Sequence, residues 1–199
     1  MNLRYQIVLA SNSPRRKELL NQAGIKFITR VKEIPEDYPK DMDVYKVASF
    51  LAAEKGKAYI PELNNNELLI TADTTVIYDG KIYEKPTDYD DAYTMLSNLS
   101  GKTHDVITGV CLSSTDQQTT FDDSTKVEFD NLTDEEIHYY LKTYKPFDKA
   151  GSYGIQEWIG LIGIKNINGS YFNVVGLPLN KLYQKLKQYI IQYSFYIVS

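Results

Sequence analysis

Three groups of residues carry side chains suited to chemistry on a polyanion. The first is Ser11-Asn12-Ser13-Pro14-Arg15-Arg16-Lys17, lying between an apolar run and a helix start. Free N–H groups and the positive end of a helix dipole favour an anion at such a place. The serine hydroxyls and the two guanidiniums add donors, and arginine suits bidentate contact with phosphate. The stretch is not a P-loop, because the glycines and the Gly-Lys-Ser/Thr ending are absent. An ordinary basic helix start is the alternative. The second group centres on Asp73, which follows the apolar run 68–72 and precedes Thr74 and Thr75. A carboxylate at the end of a buried strand lies where α/β folds hold ligands, with capping or turn formation as the alternative. The third is Asp148-Lys149-Ala150-Gly151-Ser152-Tyr153-Gly154-Ile155-Gln156. Its small residues allow close backbone approach, and the Gln156 amide can read donors and acceptors on a base.

Two lysines join these groups. Lys55 continues an apolar helical stripe, so it either snorkels at the stripe's edge or lines a cleft and meets an anion. Lys85 stands before the rigid Pro86. Other chemistries lack their parts. His104 and His138 have no second His or Cys at ligand spacing, Cys111 sits inside an apolar strand, and no Gly-x-Ser-x-Gly elbow occurs. Oxygen ligands and cations remain, the set expected for magnesium-assisted phosphate chemistry.

The elements that must position these residues follow from spacing. Residues 5–10 read as a buried strand leading directly into a helix. Ser13 is its N-cap, Pro14 its first residue, Leu19, Leu20 and Ala23 its inward face, and Gly24 its end. Residues 25–31 predict a second strand, and 33–43, acidic with two prolines, a loop. Val44, Val47, Ala48, Leu51 and Ala52 predict a helix over 43–59. A buried strand over 68–72 is expected to end at Asp73, and 76–84 to form a strand pair turned at Asp79-Gly80. A capped helix over 87–99 and β-rich segments at 103–113 and 119–129 come next. The capping box Thr133-Asp134-Glu135-Glu136 opens a helix running to about Tyr144. Residues 158–175 read as a hairpin turned at Asn168-Gly169, 178–193 as a last amphipathic helix, and 195–198 as an apolar tail. Strands and helices interspersed without a repeat or linker predict an α/β fold, a mixed central sheet flanked by helices with two lobes around a cleft.

The chain of 199 residues suits one domain spanning 1–199. A net charge of -4 argues against a nucleic-acid polymer or an anionic membrane as partner. One Cys and two His exclude a disulfide framework and a Cys/His zinc cluster. No apolar run approaches the roughly 18–20 residues of a membrane span, and the N-terminus lacks the succession of a secretory signal. A reduced, cytoplasmic setting is therefore the expectation. The charge is uneven: the first 32 residues hold seven Lys or Arg against Glu18, a net of +6. The acidic run 116–136 reads as a solvated face. The 17 tyrosines are the one compositional oddity.

In order along the chain, Leu9-Ala10-Ser11-Asn12-Ser13-Pro14-Arg15-Arg16-Lys17-Glu18-Leu19-Leu20, Ala72-Asp73-Thr74, Glu84-Lys85-Pro86 and Leu99-Ser100-Gly101-Lys102-Thr103-His104 form one pattern. Asp148 to Gln156 and Gly169-Ser170-Tyr171 through Val174-Val175-Gly176-Leu177-Pro178 complete it. The pattern resembles the Maf (septum-formation protein) family of nucleoside triphosphate pyrophosphatases, and it covers nearly the whole chain. The resemblance implies a cleft-bearing α/β fold similar in plan to the inosine triphosphate pyrophosphatases, with a homodimer as the common assembly. It implies hydrolysis of a nucleoside triphosphate between the α and β phosphates, assisted by a divalent cation, Mg2+ or Mn2+. Asp73 matches the family's general base and a metal ligand, with Glu36, or Glu33 by a shift of the loop, as the second carboxylate. Ser11, Arg15, Arg16, Lys55 and Lys85 match the phosphate-side cluster. Lys55-Gly56 departs from the family's usual Lys-Ala. Arg15, Thr74 and Gln156 resemble the branch acting on dTTP and UTP, where the 7-methyl-GTP branch tends to carry Trp, Gln and Glu. Modified pyrimidine nucleotides are a broader substrate reading. A non-catalytic nucleotide-sensing regulator of cell division is the alternative, and Asp73 separates the two, since a pure binder needs no base.

Overall fold

The computed structural model describes residues 5–189. Its frame is one seven-stranded mixed sheet. Strands β1 (Gln6–Leu9), β2 (Phe27–Thr29) and β3 (Glu67–Tyr78) pair in parallel, β1 lying between the other two. β4 (Lys81–Tyr83) folds back on β3 as a tight hairpin. Asp79 and Gly80 both take positive φ there, 50° and 69°, as a two-residue turn matched to strand twist requires. On the other side of β3 run β5 (Thr103–Ser113), β6 (Gln118–Phe129) and β7 (Ile164–Asn168), all antiparallel.

β3 runs through Asp73 rather than ending there, which corrects the strand expected over 68–72. Asp-Thr-Thr has turn chemistry, but β5 stays in register with β3 from Leu69↔Ser113 to Ile77↔Asp105 and holds it extended. The interruption lies on the opposite edge. β1 leaves β3 after Leu9↔Ile70, and β4 joins only at Val76↔Tyr83, so the sheet forks around residues 71–75. The expected two lobes are therefore two walls of one forked sheet.

Helix α1 (Pro14–Gln22) starts as its sequence predicts, with the Ser13 hydroxyl accepting from the Arg16 N–H at 3.4 Å. A 3-10 turn, Val44–Lys46, leads into α2 (Val47–Tyr59). α3 (Tyr89–Leu99), capped by Asp88, packs with α4 (Asp134–Tyr144), whose capping box is complete. The hairpin expected over 158–175 is a correction. α5 (Trp158–Gly163) precedes β7, and α6 (Tyr171–Val175), capped by Ser170, follows it. Short apolar runs do not distinguish strand from helix by period alone, and here β7 finds its partner in β6. The last helix is α7 (Leu179–Leu186) with a 3-10 turn to Tyr189; the remainder of the expected helix and the 195–198 tail lie outside the described residues. Among the described residues no helix is long and apolar enough to cross a membrane.

The main core fills the face under α1, α3, α4 and α7 with Leu20, Ile70, Leu96, Leu112, Phe129, Leu141 and Leu182 among its members. His104 is buried in it beside Phe129, its Nε2 2.7 Å from the Tyr153 hydroxyl and its Nδ1 without a partner. Burial holds its pKa down at about 4 from 6.5, against the weaker pull of Asp105. The folded chain thus refuses a proton that the unfolded chain accepts below pH 6.5. Stability is full above that value and falls as the pH drops toward 4, by about 3 kcal/mol in total from this one group. His104→Gln is expected to flatten that part of the profile, measured as urea midpoints between pH 4 and 7. An unchanged slope would remove His104 as its cause.

Candidate active site

The fork in the sheet is the floor of a cleft of about 1170 Å3. Asp73 stands at its centre, and its cross-strand partner is Gly109. Paired residues share a face of the sheet, so the missing side chain of Gly109 is opposite α2. A Cβ on Gly109 would lie 2.4 Å from the backbone of Ala48 and Ser49. The glycine lets α2 descend onto the strand, and the Thr71 hydroxyl fastens it there by donating to the Ala52 carbonyl at 2.7 Å. That descent brings Lys55, two turns along the helix, down to Asp73. Gly56 has a similar reason: its Cβ would lie 2.7 Å from Ser113 Oγ and from Gln118 Nε2. The departure from Lys-Ala leaves room for these two side chains.

Lys55 Nζ lies 2.6 Å from Asp73 Oδ1 and 2.6 Å from Glu36 Oε1. The lysine on the apolar stripe has the anionic partners its burial demands. Glu36 also faces Lys85 Nζ at 3.5 Å. Glu33 lines the cleft at an exposed position, and Glu36 is the carboxylate brought to Lys55. Burial drives the Asp73 carboxyl above its ordinary range, against the pull of Lys55 and Arg16. Burial also works to raise Glu36, but Lys55 and Lys85 more than offset it and leave it below the usual range. Two neighbouring carboxyls pushed apart in this way are suited to different roles, Asp73 to holding a proton and Glu36 to holding charge.

Arg15 and Arg16 diverge. Arg15 meets Asp148 across the cleft at 3.5 Å. Arg16 turns into the fork and closes it. Its Nε donates to the Gly176 carbonyl at 2.8 Å, Nη1 to the Ala72 carbonyl at 2.8 Å and to Ser11 Oγ at 3.4 Å, and Nη2 to Thr74 Oγ1 at 3.1 Å. Ala72 O is a carbonyl that the departure of β1 leaves without a strand partner, and the guanidinium satisfies it. One N–H of Nη2 is left over from these bonds. Thr74 belongs to the same framework. Its hydroxyl accepts from Arg16 and lies 2.9 Å from Thr108 Oγ1, which donates its only hydrogen to the Asn173 carbonyl at 2.9 Å. Thr74 is therefore the donor to Thr108. Its side chain leaves β3 on the face opposite Asp73. The Ser11 oxygen accepts from the Ser13 N–H at 3.1 Å and from Arg16, keeping its own hydrogen to donate. Gln156 lines the far end of the cleft at an exposed position.

The site thus unites Ser11, Arg15, Lys55, Asp73, Lys85, Glu36 and Gln156 around one cavity, with Arg16 and Thr74 forming its floor. Sequence reasoning missed Tyr38, whose hydroxyl donates to Glu84 at 3.1 Å on the rim, and Gly109 beneath Asp73. A glycine inside an apolar strand was the available signal for the second.

A forked mixed sheet of this plan has solved counterparts. The Ham1 protein of Staphylococcus aureus superposes with a TM-score of 0.53 at 15% identity, covering 92% of this chain and 98% of that one, which establishes the fold. The family model described as Maf-like protein matches residues 6–189. A dTTP/UTP pyrophosphatase of Phocaeicola vulgatus is 54% identical over 188 residues, 93% of this chain and 96% of its own length. One from Flavobacterium psychrophilum is 50% identical over 190 residues, 96% and 95% of the two chains. The chain belongs to the Maf family.

Proposed function

We propose that the chain hydrolyses the α–β phosphoanhydride of dTTP and UTP, releasing the nucleoside monophosphate and pyrophosphate. The observation that carries the reading is a buried carboxyl, Asp73, held by Lys55 at 2.6 Å on the floor of a cation-lined cleft. The names of the relatives support the substrate. In this reading Asp73 accepts the proton of the attacking water, and burial, by raising its affinity for that proton, makes it a better base than an exposed aspartate. Lys55, Lys85, Arg15, the Ser11 hydroxyl and the first turn of α1 receive the triphosphate and the departing pyrophosphate. Gln156 offers a neutral amide to an uncharged pyrimidine edge, where a carboxylate would suit a cationic methylated purine.

A divalent cation fits this donor set in one way. Among the described residues no three His, Cys, Asp or Glu gather, so the protein builds no cage of its own. Asp73 and Glu36 share Lys55, and two carboxylates completed by substrate oxygens are what magnesium prefers. Asp73 and Glu36 would hold Mg2+ or Mn2+ together with the triphosphate. The ion, when bound, supplies neutralisation of phosphate charge.

The test is a substrate panel read by pyrophosphate release with Mg2+ or Mn2+ present. UTP and dTTP, with modified pyrimidines such as 5-methyl-UTP and pseudo-UTP, are expected to exceed ATP, GTP and 7-methyl-GTP. Faster release from 7-methyl-GTP than from UTP would sink the pyrimidine reading. Nucleotide binding with no release from any substrate would leave a non-catalytic sensor.

A further inference from the structure

Gln156 does not stand on a free loop. Residues 154–157 form a turn closed by the Glu157 N–H donating to the Gly154 carbonyl at 3.0 Å. Ile155 plugs the turn into the core. Beneath it lies Tyr140 of α4, fully buried. Its hydroxyl accepts from the Gly154 N–H at 3.0 Å and donates to Glu157 Oε2. One oxygen from a distant helix therefore binds both ends of the turn that carries Gln156. Both side chains close over Gly154, where a Cβ would lie 2.8 Å from the Glu157 carboxyl carbon and 3.0 Å from Gln156 Nε2. From Glu157 the contacts continue toward the phosphate end: Lys149 Nζ at 3.2 Å, then Asp148 at 2.7 Å, then Arg15 at 3.5 Å.

A buried phenol needs partners wherever it stands, and packing alone explains its ring. Packing does not explain why both of its hydrogen bonds go to the two ends of this turn. We propose that Tyr140 is a positioning residue for nucleobase selection, its hydroxyl fixing the turn that aims the Gln156 amide into the cleft. The inference rests on the assignment of Gln156 to the base. It places selectivity partly in a residue with no access to the ligand.

The test is a double-mutant cycle on the full chain, with UTP and ATP as substrates and inorganic pyrophosphate as a competitive probe of the phosphate end. Tyr140→Phe keeps the ring and removes both bonds. It is expected to raise KM for UTP roughly 10-fold, the effect of one well-placed hydrogen bond, with kcat little changed. Preference for UTP over ATP falls by the same factor, and inhibition by pyrophosphate stays as it was. Gln156→Ala alone lowers the preference similarly, and Tyr140→Phe added to Gln156→Ala costs nothing further. Full additivity of the two, or loss of pyrophosphate affinity alongside UTP affinity, overturns the proposal and leaves Tyr140 a structural residue. If Gln156→Ala itself leaves the preference intact, the base assignment has failed, and this inference with it. Should Tyr140→Phe not fold, Glu157→Ala breaks the other end of the same clamp; because it also frees Lys149, its readouts are the UTP-over-ATP preference and the loss of additivity with Gln156→Ala, and full additivity there overturns the proposal.

Discussion

Replacing Asp73 by Asn lowers pyrophosphate release by at least ~100-fold, the usual result of losing a general base, and leaves the protein folded. The fold survives because Asn has the same shape and Lys55 keeps its 2.6 Å contact with Glu36. The carboxylate is also not a source of stability. Its pKa is raised by burial, so the folded chain binds the proton more tightly than the unfolded chain. A group of this kind contributes stability below its ordinary value of 3.8, and that contribution is lost as the pH rises through the raised value. At neutral pH the neutral amide escapes this cost. Near-normal release by the variant, or a collapse of its melting transition, would each contradict the assignment, the first of the base and the second of the site's architecture.

The second large effect is on stability. Gly109→Ala places a methyl group 2.4 Å from the backbone of Ala48 and Ser49, where no flexible side chain can yield. Either α2 lifts or β5 bends. A loss of about 3 kcal/mol is expected, at the upper end for overpacking because the clash is with backbone. The folded fraction should also be nearly inactive, since lifting α2 withdraws Lys55 from Asp73 and misplacement by about 1 Å can cost ~100-fold. Gly24→Ala is the control. Its φ is +66° and nothing lies within 4 Å of the added atom, so only backbone strain of about 1 kcal/mol applies, with activity retained. Urea unfolding and pyrophosphate release on both variants decide the matter. Equal losses in the two would mean that α2 does not rest on Gly109.

Local signals were read correctly where local chemistry determines the outcome. The Ser13-Pro14 start of α1, the Asp79-Gly80 turn and the Thr133 capping box each satisfy their own backbone groups within a few residues. The sequence also marked Ser11, Arg15, Lys55, Asp73, Lys85 and Gln156, which the fold brings to one cavity. It could not show that β3 continues past Asp73, because the reason is β5, more than thirty residues later. Nor could it separate Arg15 from Arg16. Neighbours on a helix differ by about 100° in direction, and only the fork with its open Ala72 carbonyl tells which guanidinium the protein claims. Tyr140 was invisible for the same reason: its tyrosine neighbours Tyr139 and Tyr144 are exposed, and its partners lie on a turn yet to come. The acidic run 116–136, read as solvated, is partly engaged, with Asp122 accepting from Ser49 and Asp123 paired with Lys181.

The fork has a mechanical side. β3 is shared by both walls of the cleft, bonded to β1 in its first part, to β4 in its last, and to β5 along most of its length. It behaves as a beam: the walls cannot hinge about Asp73 without tearing the ladder to β5. Two connections overhang the beam, 30–43 with Glu36 and 148–157 with Gln156, the first tied down where Glu36 meets Lys55 and the second where Ile155 and Tyr140 pin its turn. An engineer wishing to retune the enzyme for another nucleotide can redraw those overhangs and leave the beam, with Asp73 at its middle, untouched.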